Sequence, residues 1–102
     1  MNVQPFARLD RVIHETGRLA LMSLLAGASR LSFIEMRQAA GMSDGNLTSH
    51  LRSLQAAGYL SSEKAAGPGR SLTTFALTPA GRKAFTAYID LLEQILRDAR
   101  PR

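Results

Sequence analysis

A chain of 102 residues, 45% of them hydrophobic, makes one domain around a single core and is not disordered as a whole. It contains no cysteine, which excludes disulfide frameworks, thiolate nucleophiles and cysteine-based zinc sites. The formal charge of +5 favours a polyanionic partner, and most of it lies mid-chain, where residues 30–83 hold seven basic side chains against Glu35, Asp44 and Glu63.

No stretch approaches the roughly 20 apolar residues that span a bilayer. The opening MNVQPFARLDR also lacks the basic start and apolar run of a secretory signal. The expectation is a soluble, cytoplasmic protein with no membrane partner.

Taken in order, residues 1–9 are expected to form an arm confined by Pro5, and DRVIH at 10–14 a first helical piece interrupted near Gly17. Thr16 can cap the next helix, RLALMSLLAGA, which is apolar on almost every side and so expected to be central, over 16–26 with Gly27 closing it. Ser32 and Glu35 form a capping box with Leu31 and Met36 as its staple, opening a helix that runs to Ala40 and stops at Gly41.

Residues 41–58, GMSDGNLTSHLRSLQAAG, begin a second helix almost at once. Ser43 stands as N-cap for the Asn46 amide, and Met42 and Leu47 as a staple. Leu47, Leu51 and Leu54 share one stripe at spacings of four and three, and Gly58 is a left-handed terminator. The opposite side carries Gly45, Asn46, Ser49, Arg52 and Ser53, flanked by Thr48 and Gln55, and is nearly free of acid. Two short helices joined by so tight a glycine turn make a helix-turn-helix, whose second helix is the best candidate in the chain for entry into a DNA groove.

Beyond Gly58, residues 59–66 and 71–77 are extended candidates around Gly67, Pro68, Gly69 and Arg70. Thr73, Phe75 and Leu77 alternate toward one face, so the pair reads as an antiparallel hairpin with a basic tip at Arg70, the wing of a winged helix. Thr78 and Pro79 restart helix as N-cap and first helical residue. Phe85, Tyr88, Ile89, Leu92, Ile95 and Leu96 then form a seam of two heptads, expected to complete a dimer interface because residues beyond about Tyr88 would find no surface within the monomer, with residues 98–102 frayed. The expected fold is mainly α with a small β-hairpin, in one domain over 1–102: helix-turn-helix core and wing at 10–77, dimerisation helix at 78–97.

SFIEMRQAAGMSDGNLTSHLRSL, then AAGYL at 56–60 and FALTPAGRKAF at 75–85, resemble the small winged-helix transcriptional regulators related to the MarR, ArsR and PadR groups, most of all a compact MarR-like subgroup. The likeness spans residues 10–96. It implies a homodimer whose terminal helices pack together while two recognition helices, residues 44–55, address successive major grooves of double-stranded DNA. The wing tip falls at 67–70; with one arginine and a proline it is less basic than many in the family.

The expected DNA-contacting set is Ser43, Asp44, Gly45, Asn46, Thr48, Ser49, Arg52, Ser53, Lys64 and Arg70. Arg37, Arg82 and Lys83 are further candidates for phosphate contact. The expected role is a nucleoid-associated regulator, a repressor. The rival from another class is a winged-helix module that binds a protein partner instead of DNA.

His14 and His50 are the only histidines and lie 36 positions apart, so no metal site and no cofactor are expected. His50, between the leucine stripe and the polar face, is expected to bond backbone or phosphate. No glycine-rich phosphate loop, nucleophile with a base, or framed acidic pair points to an enzyme. A small-molecule effector is possible in this family but is not expected here, because a crevice beside short terminal helices would be small.

Overall fold

The computed structural model describes residues 4–67 and 70–101, and the side chains of these except Ala66, Gly67, Arg70 and Ser71. The elements run α1 (Gln4–Ala7), α2 (Thr16–Ala26), β1 (Leu31–Ser32), α3 (Phe33–Ala40), α4 (Asp44–Ala56), β2 (Leu60–Gly67), β3 (Arg70–Leu77) and α5 (Pro79–Ala99). The strands form one antiparallel sheet in the order β1-β3-β2. The core joins Leu21, Met22 and Leu25 of α2, Met36 of α3 and Leu47, Leu51 and Leu54 of α4 to Leu60, Phe75 and Leu77 of the hairpin. The apolar character of α2 thus reflects its central place: it packs against α3, α4 and β3. Among the described residues, no helix is long and apolar enough to cross a membrane.

The helix-turn-helix follows from its caps. Ser32 Oγ accepts from the Glu35 amide while the Ser32 amide donates to Glu35 Oε1, closing the capping box. The Ser32 N–H, with the Ser32 hydroxyl second, holds the Glu35 carboxyl below its usual range. Gly41 ends α3 at φ 65, and Ser43 Oγ caps α4 by accepting from Asn46 N at 3.2 Å. At the far end the Gly58 amide donates to Gln55 O and the Tyr59 amide to Leu54 O, with Gly58 at φ 82. That is a complete Schellman motif.

Four sequence expectations need correction. Residues 10–14 form a single hydrogen-bonded turn that does not go on into a helix: the His14 amide donates to Asp10 O, and Asp10 Oδ1 accepts from the Val12 and Ile13 amides as an N-cap does. The cap of α2 is Glu15, whose carboxylate accepts from Arg18 N at 2.8 Å, and not Thr16, already the first helical residue. The arm contains the one-turn helix α1, with Pro5 buried, packed against α5. The last helix also continues to Ala99 instead of fraying from residue 98.

Leu31, the expected staple of α3, also opens β1, opposite Phe75, and packs against the core that holds Met36. The hairpin is antiparallel as expected, with Leu60 facing Leu77 and Gly67 facing Arg70. Its tip at Pro68 and Gly69 lies outside the described residues.

Candidate nucleic-acid interface

The leucine stripe of α4 is buried, which turns the other side of the helix outward. Ser43, Asp44, Gly45, Asn46, Ser49 and Arg52 are exposed, Thr48 and Ser53 half-exposed. Six of the ten expected contact residues, Asp44, Gly45, Thr48, Ser49, Arg52 and Ser53, line one shallow depression. Ser43 is occupied as cap, Asn46 lies outside the depression, and Lys64 stands exposed on β2. The Arg70 side chain lies outside the described residues.

Side-chain chemistry on this face is divided. Arg37 of α3 reaches across the turn to Asp44, Nη1 to Oδ1 at 2.9 Å. Ser53 Oγ turns back to donate to Ser49 O at 3.3 Å. Arg52 is exposed and makes no hydrogen bond or ion pair among the described residues. Gly45 has neither a positive φ nor, for a Cβ added there, any atom within 4 Å. Among the described residues nothing therefore requires glycine at 45, although glycine weakens a helix; what it supplies is bare backbone on the outer surface.

Arg30 braces the base of the hairpin, donating from Nη1 to Thr74 Oγ1 at 3.0 Å and lying 3.3 Å from Glu63 Oε2. This ties the segment before β1 to the wing and sets the wing beside α4, which packs on β2.

Both histidines make contacts within the chain. His14 Nδ1 lies 2.7 Å from Tyr88 Oη, bridging the N-terminal turn to α5. His50 packs over Gly17, with Nδ1 at 3.6 Å from Glu15 Oε1, so its surroundings are the start of α2 instead of the groove-facing side. Tyr59 donates to Asp10 Oδ2, and this bond to a carboxylate pushes the phenol up to about 12. A value raised above the ordinary 10.0 means a stabilising bond fully present at neutral pH and lost only as pH rises through 12. None of these contacts was legible in the sequence, because the partners lie far apart along the chain. Among the described residues no three histidine, aspartate or glutamate side chains gather as a metal ligand set.

On α5 the apolar seam is shared. Tyr88 and Ile95 are 2% and 8% exposed within the single chain, Phe85, Ile89 and Leu92 are half-buried, and Leu96 is 54% exposed. The expectation that residues beyond Tyr88 lack an intramolecular surface is thus incorrect. The turn at 10–15 and α1 supply that surface, and Phe85 stacks on Tyr88 with ring centroids 6.4 Å apart. An open surface depression of about 540 Å³ lies beside α5, lined by Arg8, Asp10, Ala84, Tyr88, Leu91 and Gln94, among others.

A family model for the winged helix DNA-binding domain matches residues 18–96. An uncharacterised protein of Methanocaldococcus jannaschii is 28% identical over 88 residues, 86% of this chain and 96% of its own. Among solved structures, a transcriptional regulator homologue from Pyrococcus horikoshii OT3 is similar with a TM-score of 0.84 and 21% identity, covering 90% of this chain and 91% of that one. A protein assigned to the MarR family of transcriptional regulators, from Enterococcus faecalis V583, has a TM-score of 0.76 and 24% identity over 86% of this chain and 79% of its own. These two likenesses concern the fold. With four fifths of its length matched by the family model and both helix-turn-helix and wing in place, the chain belongs to the winged-helix DNA-binding domain family.

Proposed function

We propose that the protein is a homodimeric, sequence-specific repressor of transcription that binds double-stranded DNA, working in the cytoplasm on the nucleoid and without catalytic activity. The observation that carries this reading is the outer face of α4, where an arginine unpaired among the described residues, small hydroxyl side chains and a glycine that no described contact requires share one depression. A helix placed in a major groove needs such a face: small side chains let its backbone approach, donors and acceptors meet base edges, and cations meet phosphates. Residues 10–77 serve as reading head and wing, with Lys64 and Arg70 as phosphate contacts on the wing, and residues 78–97 serve to pair two copies.

Gly45→Ala separates binding from folding. The variant is expected to be as stable as the native protein or more stable, by up to about 1 kcal/mol, yet to bind DNA more weakly because a methyl group then stands on the approach side. Thermal unfolding and a DNA titration on the same sample measure both; unchanged affinity would remove Gly45 from the interface.

Pairing is ascribed to the outward part of the α5 seam, Leu96 with Leu92, Ile89 and Phe85, while Tyr88 and Ile95 hold that helix to its own chain. Phe6 on α1, 45% exposed beside α5, extends this surface. Leu92→Glu with Leu96→Glu is expected to convert the dimer to folded monomers in sedimentation analysis. A native protein that sediments as a monomer at tens of micromolar would contradict the pairing. Selection of bound fragments from genomic DNA tests the whole reading, since a dimer returns an inverted repeat with half-sites about one helical turn apart.

A further inference from the structure

We infer that Asp44 reads a cytosine in the major groove and that Arg37 positions its carboxylate for this, an inference that rests on the DNA-binding reading of α4. An acid at the front of a surface that approaches phosphates is at first sight misplaced, because each carboxylate there repels the backbone it must pass. Three observations give it a use.

The first is that Asp44 is not needed as a cap. Ser43 fills that role by accepting from Asn46 N, and among the described residues no backbone amide donates to the Asp44 carboxylate.

The second is the clasp from α3. Arg37 Nη1 holds Oδ1 at 2.9 Å, while the Asp44 side chain remains 68% exposed and the Arg37 side chain 40% exposed. The guanidinium offsets the acid's charge toward phosphates and limits its rotamers. Oδ2 has no hydrogen-bond partner among the described residues and is left as an acceptor.

The third is reach. Asp44, Thr48 and Arg52 follow one another at four-residue spacing, a row of about 12 Å along the helix, and beside it run Gly45, Ser49 and Ser53. An aspartate is short and meets a base only where the helix backbone comes close, which this second row of small residues permits.

The choice of base follows from hydrogen-bond chemistry. A carboxylate only accepts. In the major groove guanine presents two acceptors, thymine an acceptor and a methyl group, and adenine an amino group flanked by the N7 acceptor; cytosine presents its N4 amino group with no acceptor beside it on the same base. Cytosine is therefore the base a clasped carboxylate selects, at the end of the half-site met by the N-terminus of α4. Arg52, two turns further on, is a donor and meets a different position.

The test is selection from a randomised duplex library by full-length native protein, Asp44→Asn and Arg37→Gln in parallel, with thermal unfolding of each. The native protein is expected to enrich one cytosine per half-site. Asp44→Asn, nearly isosteric, is expected to turn that position toward adenine, which asparagine pairs with through N6 and N7, and to lose roughly 10- to 100-fold affinity for the native site. Arg37→Gln is expected to flatten the preference at the same position without moving it to another base. If Asp44→Asn weakens every sequence equally and keeps the native base preferences, the pair is only a clamp between α3 and α4 and the inference falls while DNA binding stands. Native protein that binds DNA with no base preference has the same consequence. Native protein that binds no duplex overturns both readings.

Discussion

Gly81→Ala is expected to lower the unfolding temperature of the protein by well over 10 °C. Gly81 is buried in the first turn of α5, and a Cβ there would come within 3.0 Å of the Tyr59 carbonyl carbon and closer still to its oxygen. That carbonyl cannot swing away freely, because it accepts from Thr78 N at 3.0 Å, while Thr78 Oγ1 donates to Gly58 O at 2.6 Å. Overpacking backbone against backbone costs about 3 kcal/mol, and each kcal/mol moves the midpoint of a domain this size by roughly 4–8 °C. Circular dichroism melts of Gly81→Ala and Gly45→Ala make the comparison internal, since glycine is replaced within the first turn of a helix in both. Equal midpoints for the two variants would refute the packing argument.

Arg52→Ala is expected to cost roughly 10- to 100-fold in affinity for the selected site with little change in stability. Its guanidinium is exposed on the outer row of α4 and unpaired among the described residues, so no internal contact is lost on truncation. The salt dependence then assigns its role. If Arg52 neutralises a phosphate, the slope of log K against log salt falls by about one per recognition helix and all sequences weaken together. If it meets guanine, the loss concentrates on the native site and one base preference relaxes. An affinity unchanged at low and high salt would take Arg52 out of the interface.

The elements carrying explicit terminal chemistry were legible in the sequence: the Ser32 and Glu35 box, the Ser43 cap, Gly41 and Gly58 in left-handed geometry, and Thr78 with Pro79. Caps are local and write themselves within three or four residues. β1 was not legible, because two residues make no pattern and Ser32 was already read as a cap; its strand character comes from Phe75 and Thr74 opposite. α1 is a single turn and exists through its contact with α5, not through propensity. AAGYL at 56–60 and FALTPAGRKAF at 75–85 stand apart in the sequence, and only the fold makes them one junction, in which Gly58, Tyr59, Thr78 and Gly81 lock the wing to the last helix.

Of the candidate interface, the row of exposed residues on α4 followed from the leucine stripe alone, since burying Leu47, Leu51 and Leu54 leaves only one direction for the rest. The Arg37 to Asp44 clasp did not follow, because it depends on the angle between α3 and α4. The division of the α5 seam was equally hidden. Which apolar residues a chain covers for itself depends on where its N-terminal segment lies, and here His14 and α1 cover Tyr88 and its surroundings and leave Leu96 out.

The most direct test of the central claim is an equilibrium titration of the native protein against duplexes selected from genomic DNA, repeated between about 50 and 200 mM salt. The expected result is an inverted-repeat site, bound as a dimer, with log K falling linearly as log salt rises and a preference over scrambled duplex that persists at the higher salt. Binding that is indifferent to salt, or equal for selected and scrambled duplexes, would contradict it.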